Sequence, residues 1–118
     1  MANPVVHFEV MGGDGPALQS FYRDVFGWKV DANNPMNYGI VDNGGEGING
    51  GISGSPDGTS HATFYVQVDD PQAALDQIEK LGGQTIMPVM AVPGGPTIAM
   101  FTDPEGNRVG LVKGGTMQ

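Results

Sequence analysis

The chain has 118 residues, no cysteine, 39% apolar residues and a formal net charge of −8 from 13 acidic and 5 basic side chains. That length suits one domain, or two small modules sharing a core. Without cysteine there is no disulfide, zinc thiolate or thiol nucleophile, and so few basic residues assemble no patch for nucleic acid. No apolar run reaches the length of a membrane span, and "MANPVVHFEV" lacks the basic-then-apolar order of a signal peptide. The expectation is a cytoplasmic protein with neither nucleic acid nor membrane as partner. With 20 Gly and 9 Pro, turns and short strands should dominate over long helices.

Residues 5–11, "VVHFEVM", alternate: Val6, Phe8 and Val10 share one face of a strand, and His7 and Glu9 lie on the other. Asp14 then reads as an N-cap with Pro16 in the first helical turn. Leu18, Phe21, Tyr22, Val25 and Phe26 recur at helical spacing, and Gly27 stops the helix. Short strands are expected around Trp28–Asp31, Asn37–Asp42 and Ile48–Ser53, and "SGSPDGTS", 53–60, reads as a turn-rich linker. The pattern then restarts. In "HATFYVQV", 61–68, Ala62, Phe64, Val66 and Val68 alternate with His61, Thr63, Tyr65 and Gln67. Asp69 and Pro71 repeat the helix start, and Ala74, Leu75, Ile78 and Leu81 form the apolar stripe. Gly82-Gly83 ends the helix, and strands follow around Thr85–Met87, Thr97–Thr102 and Arg108–Lys113. "MAVPGGPT", 90–97, reads as a long Gly/Pro loop, and "DPEG", 103–106, as a tight turn.

The order is thus β-α-β-β-β twice, in an α+β chain forming a single domain over 1–118, with modules at 4–53 and 61–114 and the linker at 54–60 between them. One helix per module covers one sheet face, and the bare faces would line a shared concavity. The more apolar strand faces belong under the helices. That leaves His7, Glu9, Asn49, His61, Thr63, Tyr65, Gln67 and Gly110 facing the concavity as candidate ligand-binding residues. Gly110 is conspicuous, because a glycine within a strand packs nothing and costs entropy.

"VVHFEV", "LQSFYRDVFGWKV", "HATFYVQVDDPQAALDQIEKLGG" and "FTDPEGNRVGLV" together resemble the vicinal oxygen chelate superfamily. That group includes glyoxalases, bleomycin-resistance proteins and extradiol dioxygenases. The resemblance implies two βαβββ modules forming a cupped, partly closed barrel. In metal-dependent members it also implies one ligand from the first and one from the last strand of each module. The first-strand ligands map onto His7 and His61, and the last-strand carboxylates onto Asn49, with Gly50 beside it, and Gly110. Two imidazoles without a carboxylate make an incomplete metal set, because a catalytic ion of this kind is usually held by three or more protein donors. The expectation is therefore a small-molecule-binding protein of the bleomycin-resistance kind, a homodimer, with no cofactor beyond a weakly held divalent ion (nickel, cobalt, zinc, manganese or iron). The alternative is a metal-dependent lyase, isomerase or dioxygenase with an altered ligand set.

Overall fold

The computed structural model describes residues 2–116. The elements in chain order are β1 (Val5–Gly12), α1 (Gly15–Phe26), β2 (Lys29–Asp31), β3 (Gly39–Asp42), β4 (Gly50–Gly54), β5 (His61–Val68), α2 (Pro71–Lys80), β6 (Gln84–Ala91), β7 (Thr97–Thr102) and β8 (Arg108–Lys113). This is an α+β chain with β-α-β-β-β twice over, as the sequence implies. His7–Thr63 form one compact unit, and the chain beyond it, joined by the residues before His7, forms the other. The division runs through β1 and β5 because the carbonyl of Pro4 accepts the amide of Gln67 at 2.9 Å.

In the unit of His7–Thr63 the strand order is β2-β3-β4-β1. β1 and β4 are parallel, with Phe8 opposite Gly50, Glu9 opposite Gly51 and Val10 opposite Ile52. Asp14 caps α1 by accepting the Ala17 amide at 3.1 Å, and Gly27 ends the helix at φ 72, a left-handed conformation that suits glycine. The apolar stripe expected to bury α1 does not do so: Phe21 is 57% and Phe26 58% exposed, while Gly15 and Gln19 are buried. The reason is close contact between helix and strand. A Cβ on Gly15 would come within 2.7 Å of the Gly54 nitrogen. Gln19 Nε2 donates to the carbonyls of Ile52 at 2.7 Å and Asn37 at 3.1 Å. The aromatic edge of α1 instead gathers around Trp28, which stacks on Tyr22 at 5.9 Å and 7° and meets Phe26 at 5.0 Å and Phe8 at 5.4 Å.

In the second unit the order is β5-β8-β7-β6. Val68, Leu75, Ala99 and Leu111 form its core, with Val66, Ala74, Ile78, Val89 and Phe101 packed around them. Val66 and Val68 of β5 therefore lie under α2, as alternation requires, but Ala62 and Phe64 of the same expected apolar face do not: both are exposed. The cap of α2 is Asp70 rather than the expected Asp69, its side chain accepting the Ala73 amide at 3.2 Å. Leu81, expected in the stripe, falls beyond the last turn and is 70% exposed. β6 runs on to Ala91, through Pro88 and two register shifts. An edge strand tolerates that proline because its amide is not needed on the outer side. The expected 90–97 loop thus shrinks to a turn in which Val92 donates to Pro96 and Gly95 to Val92. Among the described residues no helix is long and apolar enough to cross a membrane.

Candidate functional site

His7 and Glu9 lie two residues apart on β1, so they project from the same face, opposite to Phe8 and α1. Tyr38 reaches them from the loop before β3. Its hydroxyl lies 2.9 Å from His7 Nε2 and donates to Glu9 Oε2 at 2.9 Å. A phenol has one proton, and an ionised carboxylate only accepts. With that proton on Glu9, the His7 contact requires Nε2–H to donate to Tyr38, which fixes the tautomer of a neutral ring. Burial pushes the His7 imidazole below its ordinary value, favouring that neutral form. Glu9 is 8% exposed.

The turn that presents Tyr38 is built locally. Asn34 brackets it, donating from Nδ2 to the Tyr38 carbonyl at 2.7 Å and accepting the Tyr38 amide at 2.9 Å. Asn37 sits at φ 53, a left-handed conformation that Asn tolerates, and its carbonyl is held by Gln19. The Tyr38 ring comes to rest over Gly51, where a Cβ would overlap its hydroxyl and ring carbons.

The second unit contains a comparable pair. Tyr65 is opposite Gly110 on the parallel β5–β8 ladder, and a Cβ on Gly110 would approach the Tyr65 ring to 2.5 Å. Gly110 thus lacks a side chain where a tyrosine ring lies. Gln67 lies over Gly114, whose Cβ would meet its amide at 3.5 Å.

Asn49 precedes β4, which begins at Gly50 rather than the expected Ile48, and it is exposed. Its Oδ1 accepts the Asn43 amide at 3.0 Å and its carbonyl accepts the Phe8 amide at 3.3 Å, so it closes the hairpin loop. By ladder register, the last-strand position equivalent to Gly110 is Gly51, not Asn49 or Gly50. His61 is the first residue of β5 and half-buried. Counting along the two eight-residue strands, the counterpart of His7 is Thr63 and that of His61 is Val5, so the histidines are not a repeat-related pair. Thr63 is buried. Among the described residues, no three His, Asp or Glu side chains are grouped so as to hold a metal ion. A shallow depression along α2, lined by Ala73, Asp76, Gln77, Lys80 and Leu81, contains none of the candidates.

Tyr38 is the residue that sequence reasoning missed. Its signals were indirect: an Asn-Pro turn before it, and a glycine at 51 inside a strand.

Residues 5–111 match the family model described as the Glyoxalase/Bleomycin resistance protein/Dioxygenase superfamily. A Mycobacterium bovis protein named "Putative glyoxylase CFP32" is 32% identical over 108 residues, covering 83% of this chain but 41% of its own length. A glyoxylase-like domain-containing protein of Didymella fabae is 31% identical over 121 residues, covering 87% of this chain and 91% of its own. Methylmalonyl-CoA epimerase from Mycobacterium tuberculosis superposes with a TM-score of 0.68 at 12% identity, over 92% of this chain and 86% of that one. A glyoxalase/bleomycin resistance protein/dioxygenase superfamily member from Vibrio splendidus 12B01 gives 0.65 at 18% identity, over 95% and 99%. At these identities the solved structures establish the fold.

Proposed function

Because the chain belongs to the glyoxalase/bleomycin resistance protein/dioxygenase superfamily, we propose that it binds a small organic cation without a catalytic metal, through the face of β1 that carries His7 and Glu9. Supporting this reading is the buried Glu9 carboxylate, linked through Tyr38 to a neutral imidazole. A few directional polar groups around one carboxylate suit an ammonium, guanidinium or amide-bearing ligand. The net charge of −8 draws cations towards the protein at long range. The same charge disfavours the phosphate-bearing acyl-CoA esters named for the epimerases, since 5 basic residues are available to neutralise them.

The test is thermal unfolding of the native protein and of Glu9→Gln with cationic aromatic amines, a bleomycin-type glycopeptide, an acyl-CoA and a neutral ketone. A ligand at 100 times its Kd stabilises the native state by about 2.7 kcal/mol. Cationic ligands should raise the midpoint of the native protein and not that of Glu9→Gln. Stabilisation by acyl-CoA alone, or cation binding that survives Glu9→Gln, would overturn the proposal.

A further inference from the structure

Metal-dependent relatives, as the sequence resemblance implies, need a donor on the last strand beside the first-strand histidine. On β4 that position is Gly51, which faces Glu9 across the ladder and has no side chain. The space is filled by the Tyr38 ring. The substitution is chemical as well as steric. A phenol that keeps its proton brings no charge to offset a divalent ion. Tyr38 also engages both neighbours that could act as ligands. It takes the Nε2–H of His7, so that nitrogen has no lone pair to offer, and it gives its own proton to Glu9. The donor set does not fit a divalent metal.

We infer that Tyr38 is the residue that excludes divalent metal from this strand pair, and that its removal is required before a last-strand carboxylate can create a metal site. Tyr38 is held for this role from three sides: the paired hydrogen bonds of Asn34, the Gln19 bond to Asn37, and the missing side chain of Gly51. A tyrosine ring likewise covers Gly110 in the other unit, so a ring in place of a last-strand carboxylate recurs within one chain. The inference deepens the metal-free reading above and rests on it for the choice of site.

The experiment is calorimetric titration with nickel, cobalt and zinc salts, without any organic ligand, on four metal-stripped proteins: native, Tyr38→Ala, Gly51→Glu and Tyr38→Ala/Gly51→Glu. Folding of each is checked by circular dichroism. The double variant should bind at least about tenfold more tightly than the native protein, because an anionic donor joins His7 and Glu9 once the ring is gone. Gly51→Glu alone should show no gain, since Tyr38 still fills the position. Should the double variant fail to fold, Tyr38→Ala decides: it should bind metal measurably better than native, and equal affinities would overturn the inference. Equal affinity of Gly51→Glu and the double variant, or tight metal binding by the native protein, would overturn it as well. Because the probe is metal alone, a failure here is separable from a failure of the organic-cation proposal, which is read by unfolding with those ligands.

Discussion

At the scale of single residues, the His7–Tyr38–Glu9 chain makes β1 more than a scaffold. His7 is held below its ordinary value of 6.5 by burial. Between the folded and unfolded values, the unfolded chain binds a proton that the folded chain does not. Stability therefore rises with pH in that window. The His7 contribution is fully present above about 6.5, declines as pH falls towards the folded value, and is constant below it. Urea unfolding of native protein and His7→Gln from pH 8 to 5 should show this slope in the native protein alone; parallel profiles would contradict it. The carboxylates of Asp57 and Asp103 do not interfere. Hydrogen bonds from the Thr59 side chain and amide, and from the Asn107 side chain and amide, hold them below the usual carboxylate range, so their effects fall at more acid pH.

At the scale of elements, α1 shows how a polar side chain can decide the seating of a helix. Asp14 and Gly27 fix its ends, but its position over the sheet follows from Gly15 against the Gly54 backbone and Gln19 on the Ile52 carbonyl. Gln19 also holds Asn37, and so the turn that presents Tyr38. Gln19→Ala removes both bonds and leaves the buried Ile52 carbonyl without this donor. The expected loss is about 1–3 kcal/mol, measured by chemical denaturation. It should be accompanied by weaker ligand binding, because the Tyr38 turn loses a support. A variant with native stability and native binding would show that α1 is seated by its apolar contacts alone.

At the scale of the whole molecule, the strand order of each unit ends in a strand that discourages pairing. β2 has 3 residues with charges at both ends, and β6 carries Pro88 and two register shifts. Among the apolar side chains left to solvent, those on the outer edge of α1 lie together on one helix, with Phe21, Val25 and Phe26 each more than half exposed. Contiguous exposed apolar groups of this kind mark association surfaces. We therefore propose a homodimer formed through α1 rather than a sheet edge. Sedimentation velocity at micromolar concentration should give a dimer for the native chain and a monomer for Phe26→Glu, with unchanged circular dichroism. A native monomer, or a dimer indifferent to Phe26→Glu, would refute it.

Short-range chemistry was legible from the residues alone. The period-2 patterns of 5–11 and 61–68 placed β1 and β5 and put Val66 and Val68 under α2, because successive side chains of a strand face opposite ways. Asp14, Pro16 and Gly27 bounded α1 through local hydrogen bonding and backbone freedom. The repeat of these signals led to the two βαβββ modules. What only the tertiary structure decided were contacts between residues distant in sequence. Tyr38 meets His7 and Glu9 across separations of 31 and 29 residues, and nothing local to any of the three encodes that meeting. The start of β4 moved from Ile48 to Gly50 because Asn43 and Asn49 close the hairpin on each other, which also transferred the last-strand position from Asn49 to Gly51. The glycines at 51 and 110 were visible from the start, but their reason was not. Each leaves room for a ring that the chain delivers from elsewhere, and only the folded backbone brings ring and glycine together.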